Sequence, residues 1–225
     1  MNKKYFDLMS VLHKSTKRDY LARVNDKKFP KYKAATLAKK FDYDYWDGDR
    51  RINYGGYYYR PGYWTPIAKK MIKKYKLNNK SKVLDIGCGK GFLLYEIKKL
   101  LNSNTMFGVD ISKYAIKNSH EGIKSDLKLS SSTKLPFSDN YFDFVYSINT
   151  FHNLHIYDLE KSILELNRVS KTDKYICVES YRNEKEKSNL LYWQVTCETF
   201  FNPKEWEWFF KKNNYDGNYS FIYFE

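Results

Sequence analysis

Residues 83–92 read VLDIGCGKGF, and this stretch limits the fold more than any other part of the chain. A short apolar segment runs into three alternate glycines, and FLLYEIKKLL then places its apolar residues at helical spacing. Glycines at such a turn let the backbone approach a ligand closely. The stretch therefore predicts a buried strand, a glycine-rich ligand-binding loop and a helix.

From residue 82 onward, the chain alternates between strand-like and helix-like segments. Further strands are predicted in TMFGVD, DLKLS, FDFVYSI, KYICVES and FIYF. This alternation predicts an α/β fold with a doubly wound, mostly parallel sheet. We expect this domain to span residues 65–225 and residues 1–64 to form a basic, helical and aromatic cap. Helix N-caps are predicted at Thr65, Asp158 and Asn202.

Two acidic residues flank the predicted glycine loop. Asp85 stands two residues before Gly87, and Asp110 ends the second predicted strand, nineteen residues after Gly91. The spacing is G-x-G-x-G rather than the G-x-G-x-x-G of dinucleotide sites, and a carboxylate at Asp85 would repel a pyrophosphate. An acid at the end of the second strand can accept hydrogen bonds from ribose hydroxyls. The pair indicates a nucleoside with a cationic amino-acid tail, and S-adenosylmethionine meets that description.

Over residues 65–225, the chain resembles the class I S-adenosylmethionine-dependent methyltransferases. VLDIGCGKG is similar to their first motif, GVDIS to their acidic second-strand motif, and LPFSDNYFDFVYSINTFHNL to the segment around their fourth strand. The resemblance implies a Rossmann-like fold, S-adenosylmethionine as cofactor and methyl transfer as the activity. KRDYLARV, DYWDGDRR and YGGYYYRPGYW add a looser resemblance to small bacterial methyltransferases, some of them linked to sugar pathways.

The resemblance also implies which residues hold the cofactor. Those implied for its methionine end and sulfonium are Asp85, Gly87, Cys88, Gly89, Gly91 and Asn149. Those implied for its ribose and adenine are Asp110, Ile111, Ser131 and Ser132. Relatives commonly carry an acid for the adenine amino group where this chain has Ser131, so a hydroxyl or backbone group must make that contact here. Cys88, inside the loop, is interpreted as a small packing residue rather than a nucleophile.

Candidate catalytic residues follow the fourth and fifth predicted strands. His152 in NTFHNLH would act as a base where the acceptor must lose a proton, although relatives commonly have a structural His there. Tyr181 and Arg182 follow the fifth strand, where ligands bind in this fold, and Arg182 could grip a carboxylate or phosphate. A surface salt bridge to Glu184 or Glu186 is the competing interpretation for Arg182. No metal site is predicted.

Residues 50–64, RRINYGGYYYRPGYW, hold six aromatic residues and no acid. In class I methyltransferases, the chain before the first strand often covers the cofactor. The resemblance therefore implies a lid whose aromatic faces stabilise a sulfonium and exclude water. Tyr54 and Arg60 are its predicted cofactor contacts. An aromatic packing layer under the N-terminal helices is the alternative that the sequence leaves open.

Composition narrows the function without identifying the acceptor. The net charge is +14, and residues 1–40 carry twelve Lys or Arg against three Asp. A basic arm suits nucleic acid, a membrane surface or an anionic substrate, and a Lys-rich coding bias also produces one. The three widely spaced cysteines favour a reducing cytoplasm. No apolar run reaches the length of about 18 residues that a membrane span needs.

We therefore expect a cytoplasmic methyltransferase that modifies O or N of a small polar metabolite, with sugars among the candidates. An RNA or other nucleic-acid methyltransferase that uses the basic arm is one alternative. A non-catalytic cofactor-binding subunit is the other. Neither the acceptor nor the oligomeric state follows from the sequence.

Overall fold

The computed structural model describes residues 4–12 and 18–225. Within them, one six-stranded sheet contains β1 (Val83–Ile86), β2 (Met106–Asp110), β3 (Leu127–Leu129), β4 (Phe142–Ile148), β5 (Ser170–Glu179) and β6 (Asn218–Ile222). The strand order is β3-β2-β1-β4-β5-β6, and all neighbouring strands run parallel. The predicted α/β fold with a doubly wound sheet is confirmed.

Helices connect these strands and precede the sheet. The described residues include α1 (Tyr20–Val24), α2 (Lys31–Ala38), α3 (Tyr43–Trp46), α4 (Thr65–Lys74), α5 (Phe92–Leu101), α6 (Lys113–Lys117), α7 (Ile156–Val169), α8 (Glu184–Trp193) and α9 (Pro203–Lys212). The predicted boundary after residue 64 coincides with the start of α4 and stays a prediction. The predicted basic arm includes residues 1–3 and 13–17, which lie outside the described residues.

The capping box predicted for the last helix is confirmed. Asn202 Oδ1 accepts hydrogen bonds from the backbone N–H groups of Lys204 and Glu205, at 2.9 and 3.1 Å. The Glu205 carboxylate in turn accepts one from Asn202 N at 2.7 Å. These bonds satisfy helix-terminal donors that would otherwise lack partners, so α9 begins sharply after Asn202.

The other two predicted caps are wrong. Thr65 is the first residue of α4, and its hydroxyl donates to Glu96 Oε2 at 2.5 Å instead of capping the helix. This bond satisfies a carboxylate on α5 and joins the two helices. The helix α7 begins at Ile156, so Asp158 lies in its first turn. A carboxylate there still interacts favourably with the helix dipole.

Apolar side chains cover both faces of the sheet. On β4, Phe144 and Tyr146 belong to the cluster on the face covered by α4 and α5. Phe142 and Val145 belong to the opposite cluster, which α7 and α9 cover and which contains the fully buried Trp206. Burying each large apolar side chain stabilises a fold by about 1.5–3 kcal/mol. The sheet therefore has a packed layer on each face, as a doubly wound fold requires.

Residues 29–64 of the predicted segment 1–64, hereafter the cap, have their own apolar cluster. Ala34, Trp46 and Ile52 are buried in it, together with Ala115 of α6 and Val195 beyond α8. The last two residues belong to the sheet domain. The cap is therefore packed against the edge of the sheet where the strands β1 and β2 end.

A buried ion pair joins the cap to the glycine loop. Lys90, which lies in the loop and is only 3% exposed, places its ammonium 2.7 and 2.8 Å from the two carboxylate oxygens of Asp47. The same ammonium donates to the Tyr57 carbonyl at 2.8 Å, and Tyr114 of α6 donates to Asp47 at 2.8 Å. These hydrogen bonds form one network in which Lys90 and Asp47 each have a second partner, so the network stabilises the position of the cap on the loop.

Asp47→Ala should destabilise the protein strongly, because it leaves the Lys90 ammonium buried without a counterion. Removing one partner of a buried pair costs about 3–5 kcal/mol. For a chain of this size, we expect the melting temperature in a thermal unfolding scan to fall by roughly 10 °C. Asp49→Ala is the matched control because Asp49 pairs with Arg51 at the surface. Equal melting temperatures for the two variants would contradict a structural role for the buried pair.

Candidate active site

The glycine loop between β1 and α5 has no room for side chains at two positions. Gly87 and Gly89 have φ values of 81° and 54°, in the left-handed region that favours glycine. A Cβ atom at Gly87 would lie 2.1 Å from Thr150 Oγ1, and one at Gly89 would lie 2.7 Å from the Trp46 ring. The loop backbone is therefore held between the end of β4 and the cap.

Asp110, at the end of β2, fastens this loop. Its Oδ2 accepts a hydrogen bond from Gly89 N at 2.7 Å, and its Oδ1 accepts one from Ser112 N at 2.7 Å. Burial raises the pKa of Asp110, although both amides oppose the shift. Each carboxylate oxygen can accept a second hydrogen bond. Asp110 therefore keeps acceptor capacity for a ligand hydroxyl.

Asp85 lies within β1, opposite Tyr146 of β4 and Gly108 of β2 in the strand register. Burial raises the pKa of Asp85 to about 8, while the nearby Tyr146 hydroxyl opposes the shift and the charge of Asp110 adds to it. Asp110 acts on Asp85 because the two carboxyls share one buried region. The two acids that the sequence singled out are thus brought together beside the glycine loop.

Asn149 directly follows β4 and retains unused hydrogen-bonding capacity. Its backbone N–H donates to the Cys177 carbonyl at 3.0 Å, which fixes the residue at the end of the strand. Its Oδ1 atom is buried and has no hydrogen-bond partner among the described residues. Buried polar atoms are normally satisfied, so this oxygen marks an incomplete part of the site.

The aromatic stretch packs over the loop. Tyr54 stacks on Trp46 with ring centroids 5.5 Å apart and approaches Tyr57 at 4.7 Å. Tyr57 stacks on Phe92, the first residue of α5, at 5.1 Å. Trp46 also donates its indole N–H to Ser112 Oγ at 2.9 Å. The rings therefore extend from the start of α5 to the end of β2, over the glycine loop.

Tyr54 and Arg60, the predicted cofactor contacts in this stretch, have different surroundings. Burial raises the pKa of Tyr54, and the charges of Glu179 and Asp110 add to the shift. The Tyr54 side chain nevertheless remains 38% exposed, so it lines an open space near both carboxyls. Arg60 is exposed, and its guanidinium lies over the Tyr63 ring at 4.7 Å. The structure thus brings Tyr54, but not Arg60, toward the site.

Residues 77–214 match a family model described as "Methyltransferase domain". The match covers more than half of the chain. The chain belongs to this methyltransferase family. The family is that of class I S-adenosylmethionine-dependent methyltransferase domains, so the predicted family is confirmed, and S-adenosylmethionine is the cofactor that this family implies.

Individual relatives agree with the family. The "Uncharacterized methyltransferase C1B3.06c" of Schizosaccharomyces pombe is 31% identical over 120 residues, which cover 48% of this chain and 41% of that protein. The "Ribosomal protein L11 methyltransferase" of Thermotoga petrophila is 30% identical over 125 residues, covering 54% of this chain and 45% of that protein. The chain thus spans less than half the length of these two relatives.

A solved structure shares the fold of this methyltransferase domain. The YcgJ protein from Bacillus subtilis superposes with a TM-score of 0.53 at 21% sequence identity. The superposition covers 65% of this chain and 66% of that one. At this level of identity, the similarity concerns the fold alone. It agrees with the parallel sheet and its flanking helices described above.

The hydrogen-bond acceptors at this site match the donor groups of the cofactor that this methyltransferase family uses. S-adenosylmethionine carries an ammonium group and two ribose hydroxyls, all of which donate hydrogen bonds. Asp85, Asp110 and the unpartnered Asn149 Oδ1 are acceptors at the ends of adjacent strands. Asp85 and Asn149 would hold the methionine end and Asp110 the ribose, and these contacts stay predictions that the acceptors fit.

The residues predicted for the adenine end have mixed placements. Ile111 follows β2 and is 65% exposed, as a surface for packing a flat ring requires. Ser131 shares a hydrogen bond with Thr133 Oγ1 at 2.8 Å, and Ser132 shares one with Ser162 of α7 at 2.8 Å. Both serine hydroxyls already have protein partners. Their contact with adenine stays a prediction.

Cys88 and Gly91 of the glycine loop make contacts that support packing and the turn into α5. Cys88 is buried in the apolar cluster on the α4 and α5 face, and burial raises the pKa of its thiol. A protonated, buried thiol is a poor nucleophile, which agrees with the packing role predicted for it. The Gly91 N–H donates to the Cys88 carbonyl at 2.9 Å and closes the turn into α5.

His152 is buried, and its imidazole supports another side chain. Its Nδ1 accepts a hydrogen bond from Glu179 N at 3.3 Å, and its Nε2 lies 3.4 Å from Glu179 Oε2. Burial lowers the pKa of His152 to about 3, so the ring is neutral near pH 7. Such a weakly basic imidazole suits the structural role that the sequence left open. Its catalytic role stays a prediction.

Tyr181 and Arg182 do not lie at the glycine loop. Ser180 N donates to the Ile222 carbonyl at 2.9 Å, so the pairing with β6 continues one residue past the end of β5. Tyr181 is then buried in the apolar cluster. Arg182 is exposed and binds two acids, Glu186 on α8 and Glu225, each through its guanidinium. The salt-bridge interpretation of Arg182 is the one observed, and the predicted placement of both residues at the acceptor pocket stays a prediction.

Glu179, the last residue of β5, is the residue that sequence reasoning missed. It is 6% exposed, and burial raises the pKa of its carboxyl to about 8. Gln194 donates to its Oε1, whereas Oε2 is buried without a hydrogen-bond partner among the described residues. The signal was present, since an acid ending a predicted central strand of a parallel sheet lies at the ligand-binding edge.

Two absences hold for residues 4–12 and 18–225. No group of three or more His, Cys, Asp or Glu side chains is arranged to hold a metal ion. Within the same ranges, no helix combines the length and the apolar character needed to cross a bilayer.

The free energy of unfolding should fall as the pH rises from 6.5 to 8. Asp85 and Glu179 have folded-state pKa values of about 8, against ordinary values of 3.8 and 4.5. In this window, the folded protein holds protons that the unfolded chain has released. His152 is mostly neutral in both states above its ordinary pKa of 6.5 and contributes little to the slope. Each carboxyl should lower stability by roughly 1 kcal/mol per pH unit.

Urea unfolding without cofactor, at intervals across this window, measures that slope. Asp85→Asn should reduce the slope by roughly 1 kcal/mol per pH unit, because one proton-binding carboxyl is gone. Asp139→Asn, at an exposed pair with Arg168, should leave the slope unchanged. A stability independent of pH in the wild-type protein would refute the protonated state of these carboxyls.

Proposed function

We propose that this methyltransferase domain methylates O or N of a small polar metabolite, with sugars among the candidates. The observation that carries the proposal is the arrangement of three buried carboxyls under one aromatic cap. Asp85 and Asp110 flank the glycine loop on adjacent strands, and Glu179 ends β5 on the other side of β4. The charges of Asp110 and Glu179 both raise the pKa of Tyr54. Tyr54 is therefore close to the glycine-loop side and to the β5 side of the site.

The chain's own residues have distinct tasks in this proposal. When bound, S-adenosylmethionine supplies an electrophilic methyl group and leaves as a neutral thioether. Glu179 takes the proton that the acceptor loses while its O or N bonds to the methyl carbon. A carboxyl with a pKa near the working pH is an effective base of this kind. His152 and Gln194 orient Glu179, and the aromatic cap excludes water.

Two observations support the proposed cytoplasmic location and the proposed small size of the methyl acceptor. All three cysteines are free, buried thiols, which is consistent with the reducing cytoplasm predicted from sequence. The cap covers the loop with Trp46 and Tyr57, and a covered site favours a small acceptor over a long polymer. RNA methylation and cofactor binding without catalysis remain outcomes of the tests below.

Asp110→Asn should weaken S-adenosylmethionine binding about 10- to 100-fold, because it removes a charged acceptor of ribose hydrogen bonds worth about 1.5–3 kcal/mol. Calorimetric titration of the purified protein measures this affinity. Asp139→Asn is the matched control, since it neutralises an exposed carboxylate. Thermal unfolding of both variants separates lost affinity from lost folding. If the folded Asp110→Asn protein binds as tightly as wild type, the assigned ribose contact is wrong.

Glu179→Gln should slow methyl transfer by about 10²- to 10⁴-fold with little change in cofactor affinity, since general-base catalysis contributes that much. The assay adds isotopically labelled cofactor to cell extract separated into metabolite, glycan, protein and RNA fractions. Label should enter the metabolite fraction. The wild-type rate should rise with pH as Glu179 ionises, with an inflection below its cofactor-free pKa of about 8 because the cofactor is cationic, and the variant should lack this inflection.

Glu121→Gln provides the control for this assay, because Glu121 is an exposed carboxylate. Label in the RNA fraction alone would replace the metabolite proposal with the nucleic-acid alternative. Cofactor binding without label in any fraction would support a non-catalytic subunit. An unchanged rate and pH profile in Glu179→Gln would exclude Glu179 as the base.

A further inference from the structure

Three arginines of the N-terminal segment converge on one indole ring. The guanidinium carbons of Arg18, Arg23 and Arg50 lie 4.3, 5.4 and 5.7 Å from the ring centroid of Trp193. Trp193 is the last residue of α8. Like charges so close together repel one another unless an anion joins them. We call Arg18, Arg23, Arg50 and Trp193 the arginine cluster.

The arginine cluster has little compensation from the described residues. No described carboxylate lies within 4.0 Å of Arg18, Arg23 or Arg50. Arg23 donates to the carbonyls of Arg51 and Ile52, but its Nε is buried without an acceptor. Burial lowers the pKa of Arg23 to about 10, and the charge of Arg50 contributes to the lowering. Arg50 also donates to the Asn53 carbonyl, so the cluster binds backbone oxygens but has no described carboxylate as counterion within 4.0 Å.

Other charged groups near the arginine cluster leave this excess positive. The charge of Asp26 raises the pKa of Arg23, and the charge of Glu179 raises the pKa of Arg18. Asp26 lies 3.9 Å from the Arg51 guanidinium, which partly neutralises it. Lys31 adds a further positive charge that acts against Arg23. Cations therefore outnumber acids around the indole.

The position of the arginine cluster connects it to the acceptor side of the site. Gln194, which follows Trp193, donates to Glu179 Oε1. The charges of Arg18 and Glu179 act on each other, and Arg18 also interacts with Tyr54. Arg18 further lines an open cleft of about 540 Å³ between α1 and α8, together with Asp19, Asn189 and Tyr192. The Asp19 carboxylate is used as the cap of α1, where it accepts from Ala22 N at 2.8 Å. A ligand can thus reach Arg18 from solvent.

We propose that the arginine cluster binds a phosphate or carboxylate group of the methyl acceptor. Guanidinium groups recognise both anions through paired, charge-assisted hydrogen bonds. The indole holds the guanidinium planes by cation–π contact and shields them from water. The acceptor is then an anionic metabolite whose nucleophilic O or N lies toward Glu179. This role in catalysis rests on the proposed function, whereas anion binding itself does not.

Calorimetric titration with phenyl phosphate, benzoate and the neutral benzyl alcohol tests the arginine cluster directly. The full-length protein is used at constant ionic strength. Both anions should bind saturably and benzyl alcohol should bind at least about tenfold more weakly, since charge-assisted bonds supply the difference. The ratio of the two anion affinities shows whether the group is a phosphate or a carboxylate.

Arg18→Gln and Arg50→Gln should each weaken anion binding by about tenfold or more. Lys211→Gln, which removes one positive charge from an exposed position on α9, should leave it unchanged. Thermal unfolding confirms that each variant folds. Equal binding of benzyl alcohol and the anions, or wild-type anion affinity in both arginine variants, would overturn the proposal. Anion binding that persists in a protein unable to bind S-adenosylmethionine would refute the proposed function alone.

Discussion

The ion pair between Lys90 and Asp47 determines how the rest of the site is arranged. Lys90 belongs to the glycine loop and Asp47 to the cap, so one buried contact fixes two segments far apart in sequence. Separating the cap from the loop would break the hydrogen bonds of Lys90 and expose the apolar cluster of the cap, so the closed arrangement is favoured. Trp46 and Tyr57, on either side of this contact, are thereby held over the loop. The aromatic stretch is a packing layer and a cover at once, so the two interpretations of it are compatible.

Covering the loop changes the chemistry of the carboxyls beneath it. Asp85, Asp110 and Glu179 all have raised pKa values, and burial is the first cause for each. A cofactor with a positive charge would favour the ionised acids and so lower these values. Cofactor binding and proton release are therefore coupled in this site. The same burial that destabilises the ionised acids without cofactor prepares them to accept a cationic ligand.

The strand, the glycine loop, the helix and the acid ending β2 could be predicted from the sequence because they depend on local patterns. The glycine loop and the acid ending β2 lie in two short segments, and the parallel sheet necessarily brings them together. The acceptor side depends on long-range packing. Tyr181 and Arg182 were placed there by strand order alone, and in the structure Tyr181 is buried in the apolar cluster while Arg182 pairs with Glu186 and Glu225. Strand order identifies the edge at which a site lies, and it does not say which of two adjacent side chains faces inward.

The arginine cluster could not be predicted from sequence patterns, because its residues are far apart in the chain. Its cations come from residues 18, 23 and 50, and its aromatic ring comes from residue 193, which ends a helix of the sheet domain. A basic N-terminal composition suggested nucleic acid, a membrane surface or an anionic substrate, without deciding among them. Convergence of three guanidinium groups on one ring favours the proposed compact anion, because a polymer backbone would need the charges spread along a track. Two of the twelve basic residues of segment 1–40 belong to this cluster, and the charges of Arg18 and Glu179 act on each other, so in our proposal the cluster orients one small acceptor.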